Sequence, residues 1–501
     1  MDRTELTVVL SGEGAELDFR KSYLASEAQL YTALYEGLFS YHPLTLSPVP
    51  AAVASWQLSK DKKVWTFTIR QNARYWNGDP LRAEDFRAAW LSMLDPKNET
   101  PYSSLFDIIE GARDFRLGNS SDPALVGIKT EGDKTLIVTL KTPVAFFPSM
   151  LCHHSFSPMH PSLAAAKTWP VSPVSNGPFY AAEKTANSLV LVKNELYWDA
   201  GNVSLQKINI RFTDDDEESA SLWNSGESRW IAGTINLDSL SDQSGIMVNP
   251  MFATHYYYIR SVGPWKDYRL RRALALALPW NTMRQGYALA AKTLIFPISG
   301  YPEVNGMEEA RTEEARKLLE EAGFPKGVGL PELVIRITPG EDADRIAKLM
   351  ALSWMELGIP VKLDVVPYNR YFRALKGDDY NIGSTTWIGD FADPYTFLQM
   401  WRRDSNLNEA RHDDADYETL MEKSMGEEGE SRFETLAEAE QLLLDRGTVL
   451  PLFFSPAINV VDTDEIEGWF PNALDIHPFK YFRFKAFKPL PNVAYSRFAG
   501  H

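Results

Sequence analysis

Between residues 312 and 387 the chain alternates repeatedly between helical and extended patterns, and that alternation restricts the fold more than any other stretch. Helices are predicted over 312–322, closed by Gly323, and over 342–357, stopped by Gly358. Strands are predicted over 332–337, 361–365 and 380–387, with a short helix over 371–375. A β-α-β-α-β order implies a parallel or mixed α/β sheet that binds ligands at the carboxyl ends of its strands. The last strand runs into Trp387-Ile388-Gly389-Asp390-Phe391-Ala392-Asp393-Pro394. Pro394 lacks an N–H and biases Asp393 away from helical geometry, so the strand ends there. Asp390 then sits at a strand mouth beside an indole. In a cleft, such an acid can pair with a ligand's positive charge. The competing role for Asp390 or Asp393 is to cap the segment 394–401, and on this stretch alone capping is the commoner function.

The length, 501 residues, calls for two or three domains. A net charge of −16 argues against nucleic acid, which needs a basic footprint, and leaves cationic partners open. The 14 Trp, 21 Tyr and 26 Phe suit either a large cavity or an aromatic core. Cys152 is the single cysteine, so no intrachain disulfide forms, which a chain of this size can do without even in an oxidising compartment. No apolar run is long enough to span a membrane. The opening MDRTELTVVL lacks the layout of a signal peptide, so the protein is either cytoplasmic or has Met1 in place of a targeting segment.

Elsewhere the pattern predicts a helix over 26–38, and a compact α+β unit opening with a hairpin strand over 64–69 and a helix over 83–94. Strands follow over 188–193, 206–212, 254–259 and 449–454. The acidic run 214–218 reads as a solvated helix start in preference to a metal site. Cys152-His153-His154 offers three metal ligands in a row, but neighbours on a strand face opposite ways, which favours a structural role. Nucleophile-elbow, phosphate-loop, dinucleotide and zinc motifs are absent, so no motif argues for an enzyme.

Several blocks carry a resemblance. They are Leu17-Asp18 with YEGL at 35–38, the stretch 54–96, and NGPFY at 176–180 with LVKNELYWD at 191–199. After them come YYYIR and YRLRRALALAL within 256–278, WIGDFADPYTFL at 387–398, and VLPLFF at 449–454. In this order, to about Phe487, the chain resembles the peptide-type (oligopeptide- and dipeptide-binding) solute-binding proteins of ABC importers, family 5. The resemblance implies a periplasmic-binding-protein-like type II α/β fold, with two hinged main lobes of mixed sheets and an additional α+β domain. Domain I would comprise 1–39, 171–256 and 462–487, domain II 40–170, and domain III 257–461. The tail 488–501 extends past the family's usual end. Hinges are expected near 256–260 and 460–463.

The family likeness implies that ligand lies between domains I and III, extended and paired main chain to main chain. By position Asp390 matches the anchor for a ligand α-amino group, and Trp387 and Ile388 the strand that pairs with the ligand. Tyr23 and Ala25 fall where domain I contributes an opposing strand edge, and Tyr102 matches an aromatic facing the cleft. No Arg or Lys matches an anchor for the ligand carboxylate; Gly383-Ser384-Thr385-Thr386 stands where some relatives carry arginine. The expected protein is a non-catalytic monomer without metal or cofactor. It would capture short peptides outside the cytoplasmic membrane, periplasmic or lipid-anchored, with a signal segment missing before Met1, and deliver them to ABC permease subunits. The alternatives are the same scaffold binding a metal chelate, haem, oligosaccharide or opine, and a hydrolase using an unrecognised site.

Overall fold

The computed structural model describes residues 4–486 apart from Glu13, Tyr23, Ala165, Lys167 and Ala288. One sheet of ten strands runs through the molecule. In chain order these are β1 (Glu5–Leu10), β2 (Phe179–Lys184), β3 (Ser188–Lys193), β4 (Lys207–Phe212) and β5 (Trp230–Ala232). They are followed by β6 (Ile246–Ile259), β7 (Leu333–Ile337), β8 (Val361–Val365), β9 (Ile382–Ile388) and β10 (Val449–Val461). Their spatial order is β8-β7-β9-β6-β10-β5-β1-β4-β3-β2. The mixed sheet expected from the β-α-β-α-β alternation is present: β7 pairs parallel with β8 and with β9, and β9 pairs antiparallel with β6.

The two longest strands, β6 and β10, carry the sheet from one lobe to the other. Residues 246–250 of β6 pair with 456–460 of β10 on the β5 side, and residues 254–258 pair with 449–454 on the β9 side. Between them the register breaks: 251–253 lie opposite Ser455 alone, directly after Pro250 meets Pro456. Neither proline has an N–H to give to the ladder, so pairing is weakest there. The expected hinge segments 256–260 and 460–463 fall instead on well-paired backbone. Tyr256–Ile259 is bonded to β9 and largely also to β10, and Val460 and Val461 are bonded to β5.

A separate four-stranded antiparallel sheet contains Val53–Leu58, Val64–Ile69, Thr135–Thr139 and Ile128–Glu131. With the helix Ala83–Leu94 it forms the α+β unit within 40–170, whose core is aromatic: Trp65, Phe67, Trp90 and Phe147 are all buried. The acidic run at 214–218 is a helix start, because Asp215 accepts the N–H groups of Glu217 and Glu218 at 3.0 Å each.

The separated sequence blocks meet in space. Helix α1 (Ala25–Leu34) ends three residues before Gly37, earlier than periodicity suggests, because the next backbone groups are taken from outside. Gly177 donates its N–H to the Leu34 carbonyl at 2.9 Å, and the Asn176 side chain bonds both the N–H and the carbonyl of Glu36. A Cβ on Gly177 would lie 2.3 Å from the Ala33 carbonyl oxygen, so only glycine fits. The buried Glu36 carboxylate accepts from the Tyr197 hydroxyl, the Trp198 indole N–H and Lys480 Nζ (2.9 Å). YEGL, NGPFY and LYWD are therefore one packed joint. Removing one member of such a buried pair strands the other charge, so Lys480→Ala should cost roughly 3–5 kcal/mol. Urea denaturation followed by tryptophan fluorescence should show a correspondingly lowered midpoint.

Candidate functional site

The junction of the two lobes and the α+β unit encloses a cavity of about 390 Å³. Its floor is the end of β9. On one side β9 is fully paired with β6, from Ile382↔Ile259 to Ile388↔Ala253. On the other side β7 touches it at Ile335↔Ile382 alone, so from Gly383 onward that edge is open. The side chain of Tyr371 reveals which groups point to the open edge: its hydroxyl accepts the Ser384 N–H at 2.9 Å and lies 3.0 Å from the Ser384 carbonyl oxygen. At the other end Gly389 gives its N–H to Phe252 of β6. With a period of two, the backbone groups of Ser384, Thr386 and Ile388 face the open edge, and those of Gly383, Thr385 and Trp387 face β6.

Asp390 lies just beyond this strand and is 7% exposed. Its Oδ2 accepts from the Thr396 hydroxyl at 2.9 Å, and its backbone N–H donates to the same oxygen at 2.8 Å. Three side chains from the segment 40–170 close over it. The Tyr41 hydroxyl donates to its carbonyl at 2.8 Å, the Tyr102 hydroxyl bonds its carboxylate, and His153 Nε2 stands 3.6 Å from Oδ1. Burial pushes the Asp390 carboxyl up to about 7, against the opposing pull of Thr396 and Tyr102. His153 supplies no counter-charge, because burial and the neighbouring His154 hold it well below its ordinary value. His154 is driven down to about 3 and His255 to about 4, both by burial.

Asp393 plays the capping role that the sequence left open between the two acids. Its Oδ1 accepts the Tyr395 N–H at 2.9 Å, and it is held in a bidentate pair by Arg432 at 2.8 Å on both oxygens. The other carboxylates on the cavity wall also have partners. Glu36 has Lys480, and Asp475 accepts from Asn459 Nδ2 at 2.9 Å and pairs with His477 Nε2 at 3.0 Å. Glu36 and Asp393 are thus met by full cations, whereas the groups around Asp390 are neutral. Among the described residues that line the cavity, none is lysine or arginine.

Of the residues singled out in the sequence, Asp390, Trp387, Ile388, Tyr102 and Ala25 all line this cavity. Trp387 is 9% exposed, and its buried indole N–H has no hydrogen-bond partner among the described residues. Ala25 does not sit on a strand edge: it is the first residue of α1. Tyr23 lies outside the described residues. The Cys152-His153-His154 expectation needs correction. The segment is a turn leading into a 3-10 helix, so the two histidine rings lie side by side, 4.0 Å between centroids, and both line the cavity with Cys152. No group of three or more potential ligands able to hold a metal occurs among the described residues. Tyr41, Thr396 and Tyr371 were missed altogether, since nothing in their spacing marks them.

The α+β unit is also tied to the segment after β9 by hydrogen bonds away from the cavity lining. Arg116 donates to the Asp404 carbonyl at 2.8 Å and to Asn406 Oδ1 at 2.9 Å, while Asn406 Nδ2 donates to the Thr100 carbonyl at 3.0 Å.

The profile of the bacterial extracellular solute-binding proteins, family 5 Middle, matches residues 47–409. The chain belongs to that family. It is 30% identical over 426 residues to the oligopeptide-binding protein OppA of Bacillus subtilis (strain 168), covering 79% of this chain and 78% of that protein. The fold is that of the type II periplasmic binding proteins. Superposition on the Escherichia coli murein tripeptide binding protein MppA gives a TM-score of 0.84 at 24% identity, over 97% of this chain and 99% of that one. Haemophilus influenzae OppA in complex with RPPGFSPFR also gives 0.84, at 23% identity and the same coverage. The unliganded open form of MppA gives 0.65 over 97% and 98% of the two chains.

In the ligand-free protein a carboxyl whose value is raised on folding stabilises below its unfolded value, near 4, and loses that contribution as pH rises through about 7. Asp390→Asn removes the unfavourable buried charge, so the ligand-free variant should have a higher Tm than the parent at pH 8. The difference should shrink toward pH 5, as differential scanning calorimetry at the two pH values would show.

Proposed function

We propose that this protein captures short peptides in the cavity between its lobes and delivers them to an ABC importer outside the cytoplasmic membrane. The observation that carries this reading is a buried carboxylate without a counter-ion at the end of an open strand edge. A buried charge is costly unless it is paired, so a site built this way is completed by a cation that arrives with the ligand. A peptide's α-ammonium supplies that charge, and its backbone can continue the β9 edge at Ile388 and Thr386. Backbone pairing is the same for every sequence, which suits a carrier of varied peptides. Trp387 and Tyr102 supply flat apolar walls for the first residues, and the Trp387 indole N–H offers a further donor.

The names of the relatives, oligopeptide-binding and murein tripeptide-binding, support the same ligand class. The register break at 251–253 and 455 is the proposed pivot, with the division between domains I and III at that point. Closure would then be favoured by ligand contacts made with both sides at once. A hydrolytic role is poorly supported: Cys152 is half-buried on the cavity wall, and desolvation pushes its thiol strongly up, the reverse of an activated nucleophile.

Isothermal titration calorimetry with trialanine and N-acetyl-trialanine tests the anchor. Acetylation removes the ammonium and should weaken binding by at least roughly tenfold, as should Asp390→Asn with the free peptide. Affinity for the free peptide should also fall as pH drops below about 7, because the carboxyl must lose its proton to accept the ammonium. Equal affinity for the two peptides would remove Asp390 from this role. Native mass spectrometry of protein purified from cells identifies the class directly: a ladder of short peptides supports the reading, and a sugar or metal chelate overturns it.

A further inference from the structure

The open edge of β9 is not open along its whole length. Beyond β9's contact with β7 at Ile382 the two strands diverge, and helix α2 (Tyr368–Ala374), from the crossover between β8 and β9, sends Tyr371 into the fork. The phenol is buried, yet it borders the cavity. Its hydroxyl accepts the Ser384 N–H at 2.9 Å and lies within donating distance of the carbonyls of Ser384 (3.0 Å) and Arg336 (3.2 Å) and of the Ser384 hydroxyl (3.2 Å). The hydroxyl has one proton to give and the Ser384 carbonyl is its nearest acceptor, so one side chain occupies both backbone groups that Ser384 turns to the open edge. Toward the Asp390 end, the N–H and carbonyl of Ile388 and the N–H of Thr386 have no partner on that edge among the described residues. The Thr386 carbonyl meets only the Thr385 hydroxyl, at 3.5 Å.

We infer that Tyr371 is a length-determining residue: it ends the ladder available to a bound peptide at Thr386 and so selects peptides of three or four residues. This rests on the peptide reading above and on Asp390 as the ammonium anchor. A chain whose amino end lies at Asp390 and whose body runs back along β9 is antiparallel to it, since β9 runs from Ile382 toward Ile388. Residue 1 then faces Ile388 and residue 3, two positions on, faces Thr386. Residue 5 falls level with Ser384, whose N–H and carbonyl are already taken. A longer peptide must leave the strand edge at that point and turn against the Tyr371 ring. The carboxylate of a three- or four-residue peptide ends short of this wedge. It meets the hydroxyl groups of Thr385 and Thr386, with no lysine or arginine among the described lining residues. The charged anchor is therefore at one end only, and length is set at the other end by a neutral plug.

The test is calorimetry with alanine peptides of two to six residues, read as the ratio of the association constants for pentaalanine and trialanine. In the parent protein this ratio should be one or less. In Tyr371→Ala, which removes the plug and frees Ser384, it should rise at least tenfold. Tyr371→Phe keeps the ring and releases only the Ser384 backbone groups, and should raise the ratio about threefold; it decides the matter if the alanine variant does not fold. A parent ratio well above one, or a ratio unmoved in the variants, overturns the length assignment and leaves the peptide reading standing. Failure of every alanine peptide to bind the parent protein overturns both.

Discussion

The ladder between β6 and β10 is the constraint on which the rest of the molecule depends. Both strands are long enough to belong to two lobes at once, so one hydrogen-bonded sheet crosses the molecule where two separate sheets might be expected. That continuity fixes the direction of approach between the lobes, because a paired ribbon bends far more easily across its plane than within it. Pro250 opposite Pro456, followed by three residues facing one, locally removes the bonds that would stiffen the ribbon. The break lies beside the cavity: Phe252, inside it, accepts the Gly389 N–H and donates its own N–H to the Ala473 carbonyl. Any rotation at this point therefore moves the end of β9, and Asp390 with it, relative to the segment 473–477.

Asp390 shows how such a site can be poised. Its surroundings give it hydrogen bonds but no cation: Thr396 and Tyr102 stabilise the carboxylate, and burial opposes it more strongly. The two histidines beside it are kept neutral by the same burial, so the charge balance is left for a ligand to complete. Contrast Glu36, equally buried, whose charge is met by Lys480 and two aromatic donors. One acid is finished within the fold and serves as a joint. The other is unfinished, which is the ground for proposing it as the anchor of a ligand cation.

The sequence made the architecture legible because the alternation from 312 to 387 has only one common solution, and because glycine and proline punctuate it at 323, 358 and 394. Asp390 was visible as a candidate, since an acid after an apolar strand and before a proline has few roles. What separated it from Asp393 was invisible. Arg432, which neutralises Asp393, lies 39 positions away on a helix whose own pattern gives no hint of the pairing. The histidine pair is not legible in the sequence, because neighbours on a strand would face opposite ways, whereas His153 begins a 3-10 turn in which successive side chains crowd together. Tyr371 could not have been chosen over 20 other tyrosines, because its role depends on where β7 and β9 part.

In the proposed mode of binding, recognition is divided unequally along the cavity. At Asp390 the discrimination is electrostatic and strict, since a ligand without a cation leaves the acid buried and uncompensated. Along Ile388 and Thr386 it is geometric and permissive, since any extended backbone offers the same donors and acceptors. Beyond Thr386 it becomes steric, through a phenol whose hydroxyl is engaged by the N–H and carbonyl of Ser384 and so is not free to welcome a ligand carbonyl. A carboxylate-binding arginine in the lining would add a second strict end and narrow the site to one length; neutral hydroxyls there tolerate a spread of one residue. Such a cleft reads the start of a chain by charge and its extent by space, and leaves the side chains almost unread.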